Sequence, residues 1–189
     1  MLITVSGLPG SGKTTVARLV SRELGLRHVY AGDIFRKEAE RRGLTLEEFS
    51  QLAEQDHEID RALDRAMLAV AREGDVVLEG RLAGYMADRE GLPALKVRLE
   101  ASEDVRAARI AQREQAPIEE VRHRMRVREE CDARRYHAIY GFDYYDRALY
   151  DVVADTDDTQ PEDTAALITA RARSGRPAPG AVARRPERS

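Results

Sequence analysis

Gly7-Leu8-Pro9-Gly10-Ser11-Gly12-Lys13-Thr14, followed by Thr15, has the residue types and spacing of a loop that wraps a chain of phosphates. Glycines let the backbone turn so that several N–H groups converge on the anion, and the following helix adds the positive end of its dipole. Lys13 is expected to reach the β and γ phosphates, and the Thr14 hydroxyl to take Mg²⁺. The apolar run Leu2 to Val5 just before the loop and a helical pattern just after it supply the context this chemistry requires. The ligand implied is a nucleoside triphosphate.

Other groups along the chain could receive what the loop delivers. Gly32-Asp33-Ile34-Phe35-Arg36 follows the first helical pattern, with Asp33 read as an N-cap and Arg36 one turn later. Val76-Val77-Leu78-Glu79-Gly80-Arg81 reads as a buried strand whose end faces a ligand crevice. Glu79 there could orient a water on Mg²⁺, and Arg81 could hold an acceptor phosphate. Arg106, Arg109 and Arg113 share one face of a helix, and Arg128, Asp132 and Arg135 share a face of the next. These two helices flank Gln115-Ala116-Pro117, and the hairpin they form could close over the triphosphate. Tyr136, Tyr140, Tyr144, Tyr145 and Tyr150 are expected to pack beneath the sheet rather than stack on a base.

The elements that must position these groups alternate. Strand patterns at Leu2–Val5, Val76–Glu79, Leu95–Leu99 and Tyr150–Ala154 are separated by helical ones, the signature of a parallel sheet wrapped by helices. Apolar residues at Leu46, Phe49, Leu52 and Ala53, then at Ile59, Leu63, Ala66, Met67 and Val70, predict a helical insert over about residues 32–72. Pro161 opens a last helix to about Arg173. The fold class expected is a three-layer α/β/α sandwich of the P-loop NTPase kind. It would have a parallel sheet, a helical acceptor-binding insert and a short arginine-rich lid over about residues 106–135.

With 189 residues, 42% of them hydrophobic, the chain can bury one core, so residues 1–173 are expected to form a single domain. The apolar runs are too short to cross a bilayer and the start shows no basic leader, so a soluble cytoplasmic protein is expected, without a membrane partner. A single cysteine, Cys131, excludes an internal disulfide framework and is read as a spare helix residue. His28, His57, His123 and His137 lack metal-ligand spacing and are read as solvated or capping residues. Only Lys13, Lys37 and Lys96 among the 31 basic residues are lysines, and arginine's planar fork suits phosphate. Asparagine is absent, which excludes the guanine motif of GTPases and the catalytic-loop Asn of protein kinases. Residues 174–189, rich in Pro, Gly, Ala and Arg, read as a disordered basic tail, a solvated terminus rather than a nucleic-acid contact.

From Met1 to about Arg171 the chain resembles the nucleoside monophosphate kinases, most closely the archaeal-type cytidylate kinases. The residues that carry the resemblance are Gly7–Thr15, Gly32-Asp33-Ile34-Phe35-Arg36, Leu78-Glu79-Gly80-Arg81-Leu82-Ala83-Gly84, the Arg109 and Arg113 pair, and Arg128-Glu129…Asp132…Arg135. That last spacing is similar to the family's Arg-Asp-x-x-Asp-x-x-Arg, with Glu at position 129. The resemblance implies transfer of the γ-phosphoryl of ATP, with Mg²⁺, to CMP and dCMP by a monomer that needs no nucleic acid. It implies a donor site of Gly7, Leu8, Pro9, Gly10, Ser11, Gly12, Lys13, Thr14 and Thr15, and catalytic roles for Lys13, Arg81, Arg109 and Arg113. It implies an acceptor site of Gly32, Asp33, Arg36, Gly80, Arg81, Arg128, Asp132 and Arg135, with Thr14 and, through water, Glu79 on the metal. Ala31 and Leu82 depart from bacterial relatives, which carry a Ser and an acidic residue there, so base recognition uses partly different groups. Adenylate kinases share Gly32-Asp33-x-x-Arg36 but not Gly80-Arg81-Leu82. The rivals are an adenylate kinase, a loop kinase of shikimate, gluconate or dephospho-coenzyme A, an ATP-hydrolysing or nucleotide-binding module, and a structural protein with a vestigial loop.

Overall fold

The computed structural model describes residues 1–175. Five strands form one parallel sheet in the order β2-β3-β1-β4-β5: β1 (Leu2–Gly7), β2 (Arg27–Tyr30), β3 (Val76–Glu79), β4 (Leu95–Glu100) and β5 (Val152–Asp155). The helices are α1 (Lys13–Leu24), α2 (Ala31–Arg41), α3 (Leu46–Gln55), α4 (His57–Glu73), α5 (Ala83–Arg89), α6 (Glu103–Glu114), α7 (Ile118–Tyr140) and α8 (Pro161–Arg173).

Strand periodicity divides the core into two layers. Ile3 and Val5 of β1, Val77 of β3 and Val97 and Leu99 of β4 pack against Val16, Ala17 and Val20 of α1 and Ala165 and Ile168 of α8. The residues between them, Leu2, Val76 and Leu78, face the opposite way onto Met67 and Ala71 of α4 and Ala83 and Ala87 of α5. Each fully buried Val, Leu or Ile contributes about 1.5–3 kcal/mol. The sheet is thus covered on both faces, as parallel sheets are, and the three layers expected from the sequence are present.

Insert α2–α4 has a small core of its own, Ala39, Phe49, Ala53 and Ile59. Its turns are fixed locally: Thr45 and Glu48 form a reciprocal capping box at the start of α3, and the Asp56 carboxylate accepts from the Glu58 N–H at the start of α4. Two expectations change here. β2 carries no apolar run, because Arg27-His28-Val29-Tyr30 is a partly exposed edge strand bonded on one side only, to β3. It also runs straight into α2, so Tyr30 takes the N-cap position and Asp33 falls within the first turn rather than capping the helix. The carboxylate still sits favourably at the positive end of the dipole. α8 begins at Pro161 and ends at Arg173 as the sequence predicts. Most of the tail read as disordered, residues 176–189, lies outside the described residues.

Candidate active site

The loop between β1 and α1 has the conformation its glycines allow. Gly10 and Gly12 have φ of 82° and 84°, a region costly to any residue with a Cβ. At Gly10 a Cβ would also meet the Arg106 backbone at 2.8 Å, so α6 presses directly on the loop. α1 starts at Lys13, leaving its first N–H groups directed at the loop's concavity. The Lys13 ammonium donates to the Leu8 carbonyl at 2.7 Å. Enclosure lowers its pKa to about 7 against the opposing pull of Glu79.

Behind the lysine, the Thr14 hydroxyl donates to Glu79 Oε1 at 2.7 Å, and His28 Nε2 lies 2.9 Å from Glu79 Oε2. Glu79 is fully buried at the end of β3, so both oxygens are oriented. This corrects the reading of His28 as solvated or capping: β2 places it beside β3, where its ring holds Glu79. Among the described residues no cluster of three or more His, Cys, Asp or Glu could hold a metal. A hydroxyl and one carboxylate fit Mg²⁺ nonetheless, since Mg²⁺ usually keeps its waters and takes phosphate oxygens beside one or two protein groups.

A cleft of about 790 Å³ runs from this loop, past Gly32, Asp33 and Arg36, to Arg81, Arg128, Asp132 and Arg135. Arg81, at the end of β3, contacts Asp132 of α7 rather than its neighbour Glu79. Asp132 Oδ1 accepts from Arg135 Nη2 at 3.0 Å, and Arg135 Nε lies 2.7 Å from Asp60 Oδ2 of α4. Arg128 has no carboxylate partner among the described residues; the charge of Arg81, then burial, lowers its pKa to about 10. Arg81, Arg128 and Arg135 against Asp60 and Asp132 leave positive charge in excess at this end of the cleft, which suits an anion. Arg36 pairs with Asp33 at 3.1 Å and lies over the Tyr30 ring, at the exposed rim.

The three arginines of α6 separate. Arg109 lines the cleft and donates to the Thr156 hydroxyl at 3.1 Å and to the Thr156 carbonyl. Arg113 also borders the cleft, but it is exposed and bonded to its neighbour Glu114 at 2.9 Å. Arg106 does not join them: it is buried against Glu129 of α7 and donates to the Pro9 carbonyl at 3.1 Å, a brace behind the loop. The tyrosines divide: Tyr150 packs against the sheet as expected, between Gly84 of α5 and Arg98 of β4, whereas Tyr140 joins the cluster around α5. Tyr136 and Tyr144 join Leu82, Met86 and Phe142, and Tyr145 is exposed.

Asp60, Asp64 and Thr156 line the cleft and are absent from the sequence reading. The signal for the first two was present: carboxylates one turn apart at the edge of the apolar period Ile59, Leu63, Met67. Asp64 bonds the Tyr140 hydroxyl, and burial, then Asp60, raises its pKa to about 6 against that hydrogen bond.

Comparison with known proteins follows this geometry. A family model described as the cytidylate kinase-like family matches residues 2–158. A cytidylate kinase of Methanopyrus kandleri is 47% identical over 90% of this chain and 92% of its own length. One of Methanothrix thermoacetophila is 49% identical over 82% and 88%, and one of Pyrococcus horikoshii 44% identical over 90% and 87%. Among solved structures, a shikimate kinase from Acinetobacter baumannii superposes with a TM-score of 0.61 at 19% identity, covering 92% of this chain and 93% of its own. An uncharacterized protein from Eubacterium ventriosum superposes at 0.70 and 13% identity, covering 93% and 99%. At such identities these two speak for the fold alone. Among the described residues no helix is long and apolar enough to cross a membrane.

Proposed function

Because this chain belongs to the cytidylate kinase-like family, we propose that its cleft transfers the γ-phosphoryl of ATP to CMP, and to dCMP, giving ADP and the nucleoside diphosphate. The observation that carries the reading is that one cleft joins the glycine loop to an arginine-rich end.

Gly7 to Thr15 hold the triphosphate through backbone N–H groups, and Lys13 turns from the Leu8 carbonyl to its β and γ oxygens. Mg²⁺, when bound, neutralises charge on the transferring phosphate; the Thr14 hydroxyl would hold it and Glu79 would orient its waters. Arg36, Arg81 and Arg128 receive the acceptor phosphate, with Gly32, Asp33 and Gly80 shaping its pocket. Asp132 and Arg135 hold the base end. The attacking oxygen belongs to a phosphate whose second pKa is near 6, so it is ionised at neutral pH and no general base is required. Arg109 and Arg113 meet the transferring group when the α6–α7 hairpin closes. The chain acts as a monomer in the cytoplasm, where both nucleotides are met.

The test is ADP release from ATP and Mg²⁺ with CMP, dCMP, UMP, AMP and GMP in turn, with a no-acceptor blank. Preference for CMP and dCMP is expected. Preference for AMP would make the chain an adenylate kinase, and turnover without acceptor would make it an ATP-hydrolysing module.

A further inference from the structure

Four polar atoms in the acceptor end of the cleft are buried without a hydrogen bond: Asp60 Oδ2, Asp132 Oδ2, and Nε and Nη1 of Arg135. Their residues are among the most enclosed charged groups of the molecule, at 6%, 2% and 6% exposure. They touch one another without satisfying one another. Arg135 Nε is 2.7 Å from Asp60 Oδ2, an ion pair without hydrogen-bond alignment, and Arg135 Nη1 has no partner at all among the described residues. Arg81 already lies on Asp132 Oδ2, so the groups left to complete are Arg135 and the Asp60 oxygen beside it. An unsatisfied buried donor or acceptor costs about 1–3 kcal/mol, and these call for a ligand that completes them.

The open atoms set a carboxylate acceptor beside guanidinium donors. The complementary edge is an amine next to a ring nitrogen and a carbonyl, which is the Watson–Crick edge of cytosine. Uracil presents the reverse, an acceptor where the amine stands and a donor at the ring nitrogen. The two carboxylates are not equivalent. Asp132 is already held by Arg81 on one oxygen and by Arg135 on the other. Asp60 has Arg135 alone and stands on insert helix α4, which borders the cleft opposite α7.

Resting on the assignment of CMP as acceptor, we propose that Asp60 is a specificity-determining residue of the acceptor site, its carboxylate accepting from the cytosine 4-amino group while Arg135 donates to the ring edge. This gives base reading a group from the insert, beyond the helix that carries Asp132. It also supplies a partner for cytosine in a chain with Ala31 and Leu82.

The test is kcat/KM of wild type and Asp60→Asn with CMP, UMP, dCMP and 2-pyrimidinone ribonucleoside monophosphate, which lacks the 4-amino group, beside thermal melts. In wild type, loss of the amino group is expected to cost at least about tenfold. In Asp60→Asn the preference for CMP over UMP falls at least about tenfold, CMP and the 2-pyrimidinone analogue converge, KM for ATP stays within about twofold, and the melt stays cooperative. An equal loss on every acceptor would make Asp60 only a support for Arg135 and overturn the proposal. A changed CMP to dCMP ratio with the CMP to UMP ratio intact would do the same, by moving Asp60 to the ribose. If Asp60→Asn does not fold, Asp60→Glu replaces it: the longer carboxylate is expected to narrow the gap between CMP and the analogue, and an unchanged gap would overturn the proposal. A wild type that does not prefer CMP to UMP and AMP would refute the cytidylate assignment itself, and that result is read before any variant is made.

Discussion

Arg81 and Asp132 show how one contact serves folding and chemistry together. The pair is largely buried, so removing the guanidinium leaves a carboxylate enclosed without its main counter-charge. Arg81→Ala is therefore expected to lose most activity and also to destabilise the protein by about 3 kcal/mol. Adding Asp132→Asn should restore much of the stability and none of the turnover, and chemical denaturation beside CMP-dependent ADP release separates the two effects. Full stability in Arg81→Ala would mean that the contact carries no weight in folding. Lys13 differs, because among the described residues its ammonium donates to a backbone carbonyl alone. Lys13→Ala is expected to keep a cooperative melt and to lower kcat/KM at least about a hundredfold; near-normal turnover would remove Lys13 from the mechanism. Both residues were legible in the sequence because motif spacing names them. Asp60 was not, since a carboxylate at the edge of an amphipathic helix looks the same whether it faces water or a cleft.

At the scale of elements, the contact between α4 and α7 has a pH dependence of definite sign. Asp64 of α4 bonds the Tyr140 hydroxyl of α7, and its folded pKa of about 6 stands above the ordinary 3.8. Between those values the folded protein binds a proton more tightly than the unfolded chain, so this group's contribution to stability falls as pH rises from about 4 to about 6 and is flat above. Asp64→Asn, which is neutral throughout, should melt higher than wild type at pH 7 and lose that advantage by pH 4. Melting curves of both proteins across this range check it, and a constant difference would assign the contact no titrating role. The insert helices and central strands were readable from their apolar period, and α8 from Pro161 at its start. β2 was hidden because its position comes from pairing with β3 and not from its own residues. The split among Arg106, Arg109 and Arg113 was hidden for a related reason. Helical spacing puts them on one face, and only the tertiary arrangement decides that Arg106 meets Glu129 while Arg113 meets water.

Across the whole molecule, the cleft draws its walls from three bodies: the sheet with its loop, the insert α2–α4, and the hairpin α6–α7. Its lining runs from Pro9 to Thr164, so truncation after Gly175 should leave kcat/KM for CMP within about twofold. The bodies are not equally fixed. Arg106 ties α6 to α7 through Glu129 and to the loop through Pro9, so the base of the hairpin is anchored. Arg113 at its far end is exposed and holds only a neighbouring Glu, a contact of little energetic weight. An arginine in that position can act on the transferring phosphoryl only if the hairpin tip closes after both nucleotides are bound. Arg113→Ala should therefore leave the melting temperature of the empty protein nearly unchanged, within about 0.5 kcal/mol in stability. It should leave KM for CMP near the wild-type value and lower kcat by about tenfold or more. Steady-state kinetics with both substrates varied measures all three quantities. An unchanged kcat would show that closure does not bring Arg113 to the phosphoryl, leaving Arg109, already within the cleft, as the arginine that α6 contributes.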